Sequence, residues 1–579
     1  MSRASADTPP GHGLMEVAQH AWEQALIDFY HPPLPEPKIE NVAEAASFFY
    51  IDSTTWTVHL NIAGVPVHMD ANEAEPYLRS VCHHEIQHYL LCPYDGVTNG
   101  MMFAAARKKV NDATAMFVCN LFADLVVDSK LLKRYSSLTH SRINASIHES
   151  AIRVREPSPL WTLIVASYRA MWGFPLPALA KVDNPTAEAA AAIADVARNS
   201  IDNEKRWSKA CEKIAEIIAD WMPEDEDEQL PGLGGAGSSK DAESDSSDDV
   251  TTIMVPLDVD AMMGSPIEVR NGDLARKCLQ KDAPSDLEAE MEDLAVEVEQ
   301  RGGNLQDLEG VYLTAGYGNP RESWIRFWYR AKARGMLRFD VEERKFSGLA
   351  PLAPQVWRMG DPIEELDIVQ SLQAFPVLIP NISTRRWLKV TSEGLEYSKS
   401  LPDMLLVIDS SGSMTWGMTS KTISGPYHTA LVASFAAMDV ALRRDSRVAA
   451  INFSSSSKSS KWSTSKREVE RVLLAYQGGG TVAPVKKITK ACEAAESKVM
   501  VLMMTDAEIA NWDKFVESVR DLSSRGHKLF LFHISGGSGK KKSKIQRDLE
   551  DAGAVVYPIR SAKDLPGLVI REVRNVYGS

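Results

Sequence analysis

The last third of the chain alternates short apolar runs with helical patterns, and this alternation restricts the possible folds most strongly. The strand-like runs lie at 404–408, 447–453, 498–505, 528–534 and 554–559. Helical patterns, such as the one at 428–443, separate these runs. Strands that alternate with helices predict a parallel sheet with helices on both faces. We therefore expect a doubly wound, Rossmann-like α/β domain over residues 401–579.

The rest of the chain must form further domains, because 579 residues are too many for one hydrophobic core. Residues 1–222 have mainly helical patterns, with a β-hairpin predicted at 55–69 that has one solvated face. Residues 223–255 are acidic and rich in glycine and serine, which predicts a flexible linker. We expect residues 256–400 to form a helical middle region.

Two helices are predicted in this middle region, at 285–301 and at 321–334. The second helix carries four aromatic residues, which are Trp324, Phe327, Trp328 and Tyr329. Such residues could bind a partner, but apolar faces of helices more often pack inside a domain. We therefore expect them to be buried within the chain.

The charge and the composition exclude several classes of protein. The net charge is −14, but residues 224–249 hold ten acidic residues and one lysine, so about −9 of it lies there. The remainder is only mildly acidic, which gives no sign of a nucleic-acid surface.

No apolar run approaches the ~18 residues of a membrane helix. The six cysteines form no CxxC pair, and the N-terminus lacks the apolar core of a signal peptide, so a cytoplasmic protein is expected.

A metal-binding pattern occurs in the N-terminal third, within the segment SVCHHEIQHYLLCPYD. His84, Glu85 and His88 form the pattern HExxH. On a helix the two histidines lie one turn apart on the same face and can bind one Zn²⁺, while Glu85 can accept a proton from water at the metal. Pro76 suits the first turn of such a helix. The pattern predicts a mainly α-helical, zincin-like domain.

A catalytic zinc needs a third protein ligand and an open fourth position. Downstream lies the segment AMFVCNLFADLVVDSKLL, which is apolar on nearly every face and is predicted to be a buried helix. Asn120, Asp124 and Asp128 are spaced by four residues and form one polar stripe on it. Either carboxylate could be the third ligand, and we favour Asp124 over Asp128. The other two side chains would then orient the histidines.

Two further histidines have simpler interpretations. His83 points about 100° away from His84 on the helix, so a surface position or a supporting role is expected for it. His59 lies on the polar face of the predicted hairpin and is expected to be exposed. In zinc peptidases the edge of such a sheet aligns an extended substrate by backbone hydrogen bonds, so the hairpin has a predicted role as well.

A second cation site is predicted where the first strand of the C-terminal domain ends. The strand runs into the sequence DSSGSM, which gives Asp409, Ser411 and Ser413 the spacing DxSxS. Thr481 and Asp506 follow in two later loops, and Asp506 also ends a buried strand. Ligands of open α/β sheets bind at the carboxyl ends of strands. Carboxylate and hydroxyl oxygens favour Mg²⁺ or Mn²⁺ over zinc.

These residues resemble the metal-ion-dependent adhesion site of von Willebrand factor A (VWA) domains, over about 180 residues. The resemblance implies that the five side chains surround one cation, some of them through water, and that an acidic group of a partner completes the coordination. Two positions depart from the family pattern. Val482 stands where relatives often have Asp, and Ala507 replaces the usual Gly, but neither position is a proposed ligand.

The whole arrangement, an HExxH domain, an acidic segment and a C-terminal VWA domain, resembles predicted metallopeptidases that are associated with MoxR-type AAA+ ATPases. The N-terminal part of the resemblance rests on HExxH and on NLFADLVVD. It implies a zinc-dependent peptidase with Glu85 as the catalytic residue, a protein substrate and an AAA+ partner. The alternative is a non-catalytic VWA adaptor for such an ATPase, with a structural metal site. A third interpretation, a metal chelatase subunit, leaves the HExxH domain without a role.

Overall fold

The computed structural model describes residues 12–41, 49–52, 57–153, 157–222, 287–315, 321–341, 351–374, 377–389, 401–418, 423–506, 509–534, 544–559 and 564–577. The predicted linker at 223–255 lies outside these residues. The protein is multidomain and mainly helical, and it divides into two compact units, Met1–Trp328 and Tyr329–Ser579. Within the described ranges, no helix combines the length and the apolar character that a membrane crossing requires.

The first unit is built mainly from helices, and one apolar core extends over its residues 18–218. In chain order they are α1 (His12–Asp28), α2 (Ala71–Leu90), α3 (Gly96–Ala106), α4 (Asp112–Arg134), α5 (Ser136–Arg153), α6 (Pro159–Trp172), α7 (Asn184–Arg198), α8 (Trp207–Ile218), α9 (Leu287–Gln300) and α10 (Leu305–Thr314). A further helix, α11 (Arg321–Val341), contains the boundary between the units. The predicted helices at 285–301 and 321–334 correspond to α9 and α11. Trp324, Phe327, Trp328 and Tyr329 are all buried, which confirms that they pack inside the protein.

A small sheet in the first unit differs from the predicted hairpin. Its order is β1 (Pro37–Glu40), β3 (Thr57–Asn61), β2 (Phe49–Asp52), with β1 parallel and β2 antiparallel to the central β3. The hairpin at 55–69 is therefore wrong, because both partner strands precede Thr57 and the chain turns into a 3-10 helix at Ile62–Gly64. The solvated face is also wrong. Successive residues from Val58 to Asn61 are buried, so both faces of β3 are covered.

Helices α3 and α10 approach each other so closely that only glycine fits at the crossing. A Cβ atom on Gly310 would lie 2.5 Å from the Gly100 carbonyl oxygen and 2.6 Å from the Ala104 Cβ atom. A Cβ atom on Gly100 would lie 2.4 Å from the Val311 Cα atom. These distances are well inside van der Waals contact, so the two backbones define the packing of α10 on the first unit.

The second unit contains a six-stranded mixed sheet. Its strands are β6 (Asp403–Asp409), β9 (Val448–Phe453), β10 (Ser457–Ser459), β11 (Val499–Thr505), β12 (Lys528–Ile534) and β13 (Val555–Ile559). Their order is β10-β9-β6-β11-β12-β13. The five strands predicted from sequence are present and mutually parallel, whereas β10 is an antiparallel edge strand that the sequence analysis missed.

Helices cover both faces of this sheet. They are α13 (Pro426–Leu442), α14 (Lys466–Leu473), α15 (Val485–Glu493), α16 (Trp512–Ser524), α17 (Lys544–Asp551) and α18 (Leu565–Tyr577). Leu405 and Val407 of β6 share one core with Phe515 of α16. On the opposite face, Ser434 Oγ of α13 donates to the sulfur atom of Met504, 3.7 Å away. The doubly wound arrangement of the prediction is confirmed for this unit.

Smaller elements precede and interrupt the six-stranded sheet. They are the antiparallel pair β4 (Pro351–Val356) and β5 (Arg385–Lys389), the helix α12 (Ile368–Ala374) between them, and the short pair β7 (Gly417–Met418) and β8 (Ile423–Ser424). Only helices were expected from the sequence at 256–400, and no pattern in it indicated the β4–β5 pair.

The crossing of α3 and α10 can be tested with Gly310→Ala. The added methyl group must separate the helices, so we expect the first unit to lose about 1–3 kcal/mol of unfolding free energy. Urea denaturation followed by circular dichroism measures this loss. Gly13→Ala is the matched control, since Gly13 is helical and a Cβ atom added to it would have no neighbour within 4 Å among the described residues. Equal stability of the two variants would contradict the tight crossing.

Candidate metal centres

Helix α2 places the HExxH residues on its inner face. The helix begins at Ala71, where Asp70 caps it by accepting from the backbone N–H groups of Asn72 and Glu73. Pro76 is thus the sixth residue of the helix, and its predicted place in the first turn is wrong. Apolar residues of α2 such as Leu78 and Ile86 are fully buried, which fixes the rotation of the helix.

Helix α4 supplies the acidic side chains. Asn111 caps its start by accepting from the backbone N–H of Thr114 at 2.8 Å. Asp124 and Asp128 are 2 % and 1 % exposed, so the predicted polar stripe is buried. His84 pairs with Asp128, and His88 pairs with Asp124. One turn forward along α2 thus corresponds to one turn backward along α4. The two helices therefore run in opposite directions along the site.

Three ligand atoms converge between the two helices. The Nε2 atoms of His84 and His88 are 3.1 Å apart, and Asp124 Oδ1 lies 3.4 Å and 3.1 Å from them. Atoms bound to one tetrahedral zinc at 2.0–2.1 Å lie about 3.3 Å apart. Two imidazole nitrogens and a carboxylate oxygen so close together repel each other unless a proton or a cation lies between them. The donor set and its spacing therefore fit one divalent cation.

The second ring nitrogen of each histidine is held by an acceptor. His84 Nδ1 lies 2.8 Å from Asp128 Oδ1, and His88 Nδ1 lies 2.8 Å from the carbonyl oxygen of Cys92. A carbonyl oxygen only accepts, so His88 Nδ1 carries the hydrogen, and a carboxylate imposes the same arrangement on His84. Both Nε2 atoms then point their lone pairs at the shared position.

Burial and neighbouring charges shift the pKa values of the ionisable groups in this cluster. Burial is the strongest single effect on His84 and disfavours its imidazolium, but the charge of Asp128 and the contacts with Asp124 and Asp128 together outweigh burial and raise the pKa of His84 to about 9. Burial also acts against the ionised form of Asp124, yet its contacts with His84 and His88 lower its pKa. Burial raises the pKa of Glu85, although the two neighbouring histidines oppose this shift. A carboxyl group with a raised pKa is suited to proton transfer near neutral pH.

The other predicted residues lie elsewhere or act differently. His83 is fully buried, so its expected surface position is wrong, and its Nε2 atom lies 2.7 Å from Asp28 Oδ2. His59 is buried rather than exposed, and its Nδ1 atom lies 3.1 Å from Glu40 Oε1. The Asn120 Oδ1 atom is buried, and it has no hydrogen-bond partner among the described residues. Asn120 therefore does not orient a histidine, contrary to the prediction.

One residue at the site was missed by the sequence analysis. Arg142 of α5 donates from Nη2 to Asp128 Oδ1 and lies 3.3 Å from His84 Nδ1. It stands in the sequence SRINASIH, which has no periodic relation to HExxH. The main-chain oxygen of Cys92 was missed as well, because a backbone acceptor leaves no trace in a sequence motif.

The DxSxS residues lie at the carboxyl edge of the six-stranded sheet, with Asp409 at the end of β6 and both serines in the loop that follows it. Asp409 Oδ1 accepts from the Ser411 backbone N–H at 2.9 Å, and Asp409 Oδ2 accepts from Thr505 Oγ1 at 2.5 Å. The Oγ atoms of Ser411 and Ser413 are 3.1 Å apart. The three predicted side chains of this loop thus lie close together.

Backbone hydrogen bonds join this loop to the two others. The Gly412 N–H donates to Gly479 O, and the Gly478 N–H donates to Ser410 O, each at 2.8 Å. The loop of Thr481 is in turn bonded to the loop after β11, because the Ala510 N–H donates to Thr481 O at 2.9 Å. Burial raises the pKa of Asp409, and the nearby Asp506 raises it further. Ala507 lies outside the described residues.

The pKa of His84 predicts how metal binding depends on pH. Below about pH 9 a cation must displace the His84 proton, so we expect affinity to rise about tenfold per pH unit from pH 7 towards that pKa. Competition with a chromophoric chelator at several pH values measures this slope. Asp128→Asn removes the main cause of the raised pKa and should flatten the slope, whereas a pH-independent affinity in the parent protein would contradict the prediction.

The DxSxS loop can be tested with Asp409→Ala. Loss of the buried carboxylate should weaken Mn²⁺ binding to the second unit by about 100-fold, because a hard cation depends on charged oxygen ligands. Electron paramagnetic resonance of free and bound Mn²⁺ measures the change. Asp513→Ala, at an exposed residue of α16, is the control and should bind as the parent protein does. Unchanged binding by Asp409→Ala would remove this loop as a cation site.

Comparison with known proteins gives weak structural neighbours for part of the chain. No family model matches, and no curated protein matches. A structure described as von Willebrand factor type A from Catenulispora acidiphila is 16% identical over 31% of this chain, with a TM-score of 0.24, and this chain spans 43% of that one. An uncharacterized membrane spanning protein from Vibrio fischeri is 14% identical over 31% of this chain and 98% of its own, with a TM-score of 0.13.

Proposed function

We propose that the protein is a zinc-dependent peptidase whose C-terminal unit binds a protein partner or substrate through Mg²⁺. One observation carries the enzymatic part. The side chains of His84, His88 and Asp124 present three ligand atoms, all within 4.8 Å of one another, in the chemistry and spacing that zinc takes. Glu85 follows the first of these histidines in the sequence, so the site has a proton acceptor beside its metal ligands.

In this proposal His84, His88 and Asp124 hold the ion, and Glu85 performs the proton transfers. A zinc ion held there would polarise the scissile carbonyl as a Lewis acid and would lower the pKa of a bound water molecule. Glu85 takes the proton from the attacking water and then delivers it to the leaving amine. The pKa of Glu85, which burial raises above its ordinary value, supports this role, because a higher pKa makes the carboxylate a better proton acceptor.

For the second unit, we propose that Asp409, Ser411, Ser413, Thr481 and Asp506 surround one Mg²⁺ ion. An acidic side chain of another protein would complete its coordination, as the resemblance to VWA domains implies. A MoxR-type AAA+ ATPase is the partner that the resemblance suggests. The hydrogen bonds that join the three loops support the proposal, since they hold the predicted ligands at one edge of the sheet.

A second candidate function is a non-catalytic adaptor in which the N-terminal metal only stabilises the fold. The burial of the cluster favours it. His88 and Asp124 are each 2 % exposed, and structural metal sites are closed whereas catalytic sites keep an open position. The two functions make different predictions for Glu85, which is not a metal ligand in either of them.

The peptidase can be tested with Glu85→Ala in the full-length chain. We expect zinc content to stay at that of the parent protein and cleavage of an unfolded protein substrate to fall by about 10²–10⁴-fold, because the proton acceptor is lost. Gln87→Ala is the control, since Gln87 lies on the same helix and does not belong to the metal-ligand cluster.

Two outcomes would contradict the peptidase. Cleavage by Glu85→Ala at the rate of the parent protein would remove the assigned role of this residue. Zinc bound to the parent protein without any proteolysis would favour the adaptor. The adaptor further predicts that Asp409→Ala loses partner binding while Glu85→Ala retains it, and a pull-down of the ATPase measures both.

A further inference from the structure

A buried arginine contacts the carboxylate that orients His84. Arg142 Nη2 donates to Asp128 Oδ1, the same oxygen atom that lies 2.8 Å from His84 Nδ1. Arg142 is 9 % exposed, and its Nη2 atom is 3.3 Å from His84 Nδ1. One carboxylate oxygen therefore receives hydrogen bonds from a metal ligand and from a guanidinium group of another helix.

This contact is relevant to the question of which of two neighbouring carboxylates binds the cation. Asp124 and Asp128 lie one turn apart on the same face of α4, and both are buried beside His84. Both side chains are aspartate carboxylates, so residue type alone gives a cation no preference for either of them. If Asp128 turned towards the cation, it would fill a coordination position and would leave His84 Nδ1 without its acceptor. Something other than residue type must decide which of the two carboxylates binds the ion.

We propose that Arg142 is a positioning residue that holds Asp128 at Nδ1 of His84 and thereby keeps this carboxylate out of the coordination shell of the metal. The inference rests on the proposed metal centre. Its physical basis is the charge of the guanidinium group. A buried charge needs a charged partner, so movement of Asp128 to the cation would leave the buried guanidinium group of Arg142 without its ion-pair partner.

Helix α2, which carries His84, also carries a second histidine that is paired with an aspartate and an arginine. This second histidine is not a candidate metal ligand. His83 Nε2 lies 2.7 Å from Asp28 Oδ2, and Arg79 Nη2 lies 2.7 Å from the same oxygen. This Arg–Asp–His group matches the Arg142–Asp128–His84 group in residue types, and its histidine is not one of the cluster that could hold a metal. Substitution of Arg79 is therefore a matched control. It shows which effects come from the loss of an arginine in such a group and are unrelated to the cation.

The experiment uses Co²⁺ as the probe, bound to the metal-free full-length protein. Four- and five-coordinate Co²⁺ absorb visible light strongly, whereas six-coordinate Co²⁺ absorbs weakly, so the spectrum reports an added ligand. We expect Arg142→Gln and Arg142→Met to lower the visible absorption and to weaken Co²⁺ binding by about 10–100-fold. Arg142→Lys, which keeps the charge, should restore most of the parent spectrum, and Arg79→Met should leave it unchanged.

A double variant tests whether the spectral effect of substituting Arg142 depends on Asp128. If Arg142 acts by restraining Asp128, the spectral change of Arg142→Met should disappear in an Asp128→Asn background, because the two substitutions are then not additive. A change that persists in that background would overturn the inference. So would a parent-like spectrum and affinity in a folded Arg142→Gln or Arg142→Met protein, with folding checked by circular dichroism.

The result also separates this inference from the proposed function. A parent protein that binds no Co²⁺ would overturn the metal centre and the role of Arg142 together. A parent protein that binds Co²⁺, with Arg142 variants that match it, would overturn only the role of Arg142. Neither result depends on peptidase activity, so a closed structural metal site can be tested in the same way.

Discussion

The N-terminal unit depends on how two carboxylates are accommodated in the apolar interior. Asp124 and Asp128 are almost completely buried on α4, and ionised groups in such a place require partners of opposite charge or hydrogen-bond donors. The structure provides them from two other helices, with His84 and His88 on α2 and Arg142 on α5. The packing of these three helices and the geometry of the candidate metal centre are therefore set by the same contacts.

The sequence predicts the second unit well because its five parallel strands are short and apolar, and the central strands β6, β9 and β11 are buried along their whole length. Such runs have a local signal, and the five parallel strands lie within one residue of the predicted bounds. The edge strand β10 consists of Ser457, Lys458 and Ser459, so its composition does not distinguish it from a loop. The hairpin at 55–69 failed for a different reason. Alternation in sequence shows where a strand can lie, but not which segments pair with it or cover its polar face.

The candidate metal centre is predictable to the extent that its parts are local. HExxH places two ligands on one helix by periodicity alone, and a charged residue in an apolar helix points to Asp124. The different roles of Asp124 and Asp128 depend on their tertiary contacts. The structure brings Asp124 to the Nε2 atoms of both histidines, whereas Asp128 faces Arg142, which lies 14 residues further along the chain on the following helix. No spacing rule connects these residues, so a sequence alone leaves both carboxylates open.

The buried carboxylate of Asp409 has a consequence for the folding equilibrium of the second unit. Its loop is hydrogen-bonded to the loop of Thr481, so the candidate ligands are gathered only in the folded chain. A cation that binds there would shift the equilibrium by mass action, adding about 1.4 kcal/mol for each tenfold rise in free ion above the dissociation constant. The melting temperature of this unit would then follow the magnesium supply of its surroundings, and the ion would serve as a thermodynamic part of the fold.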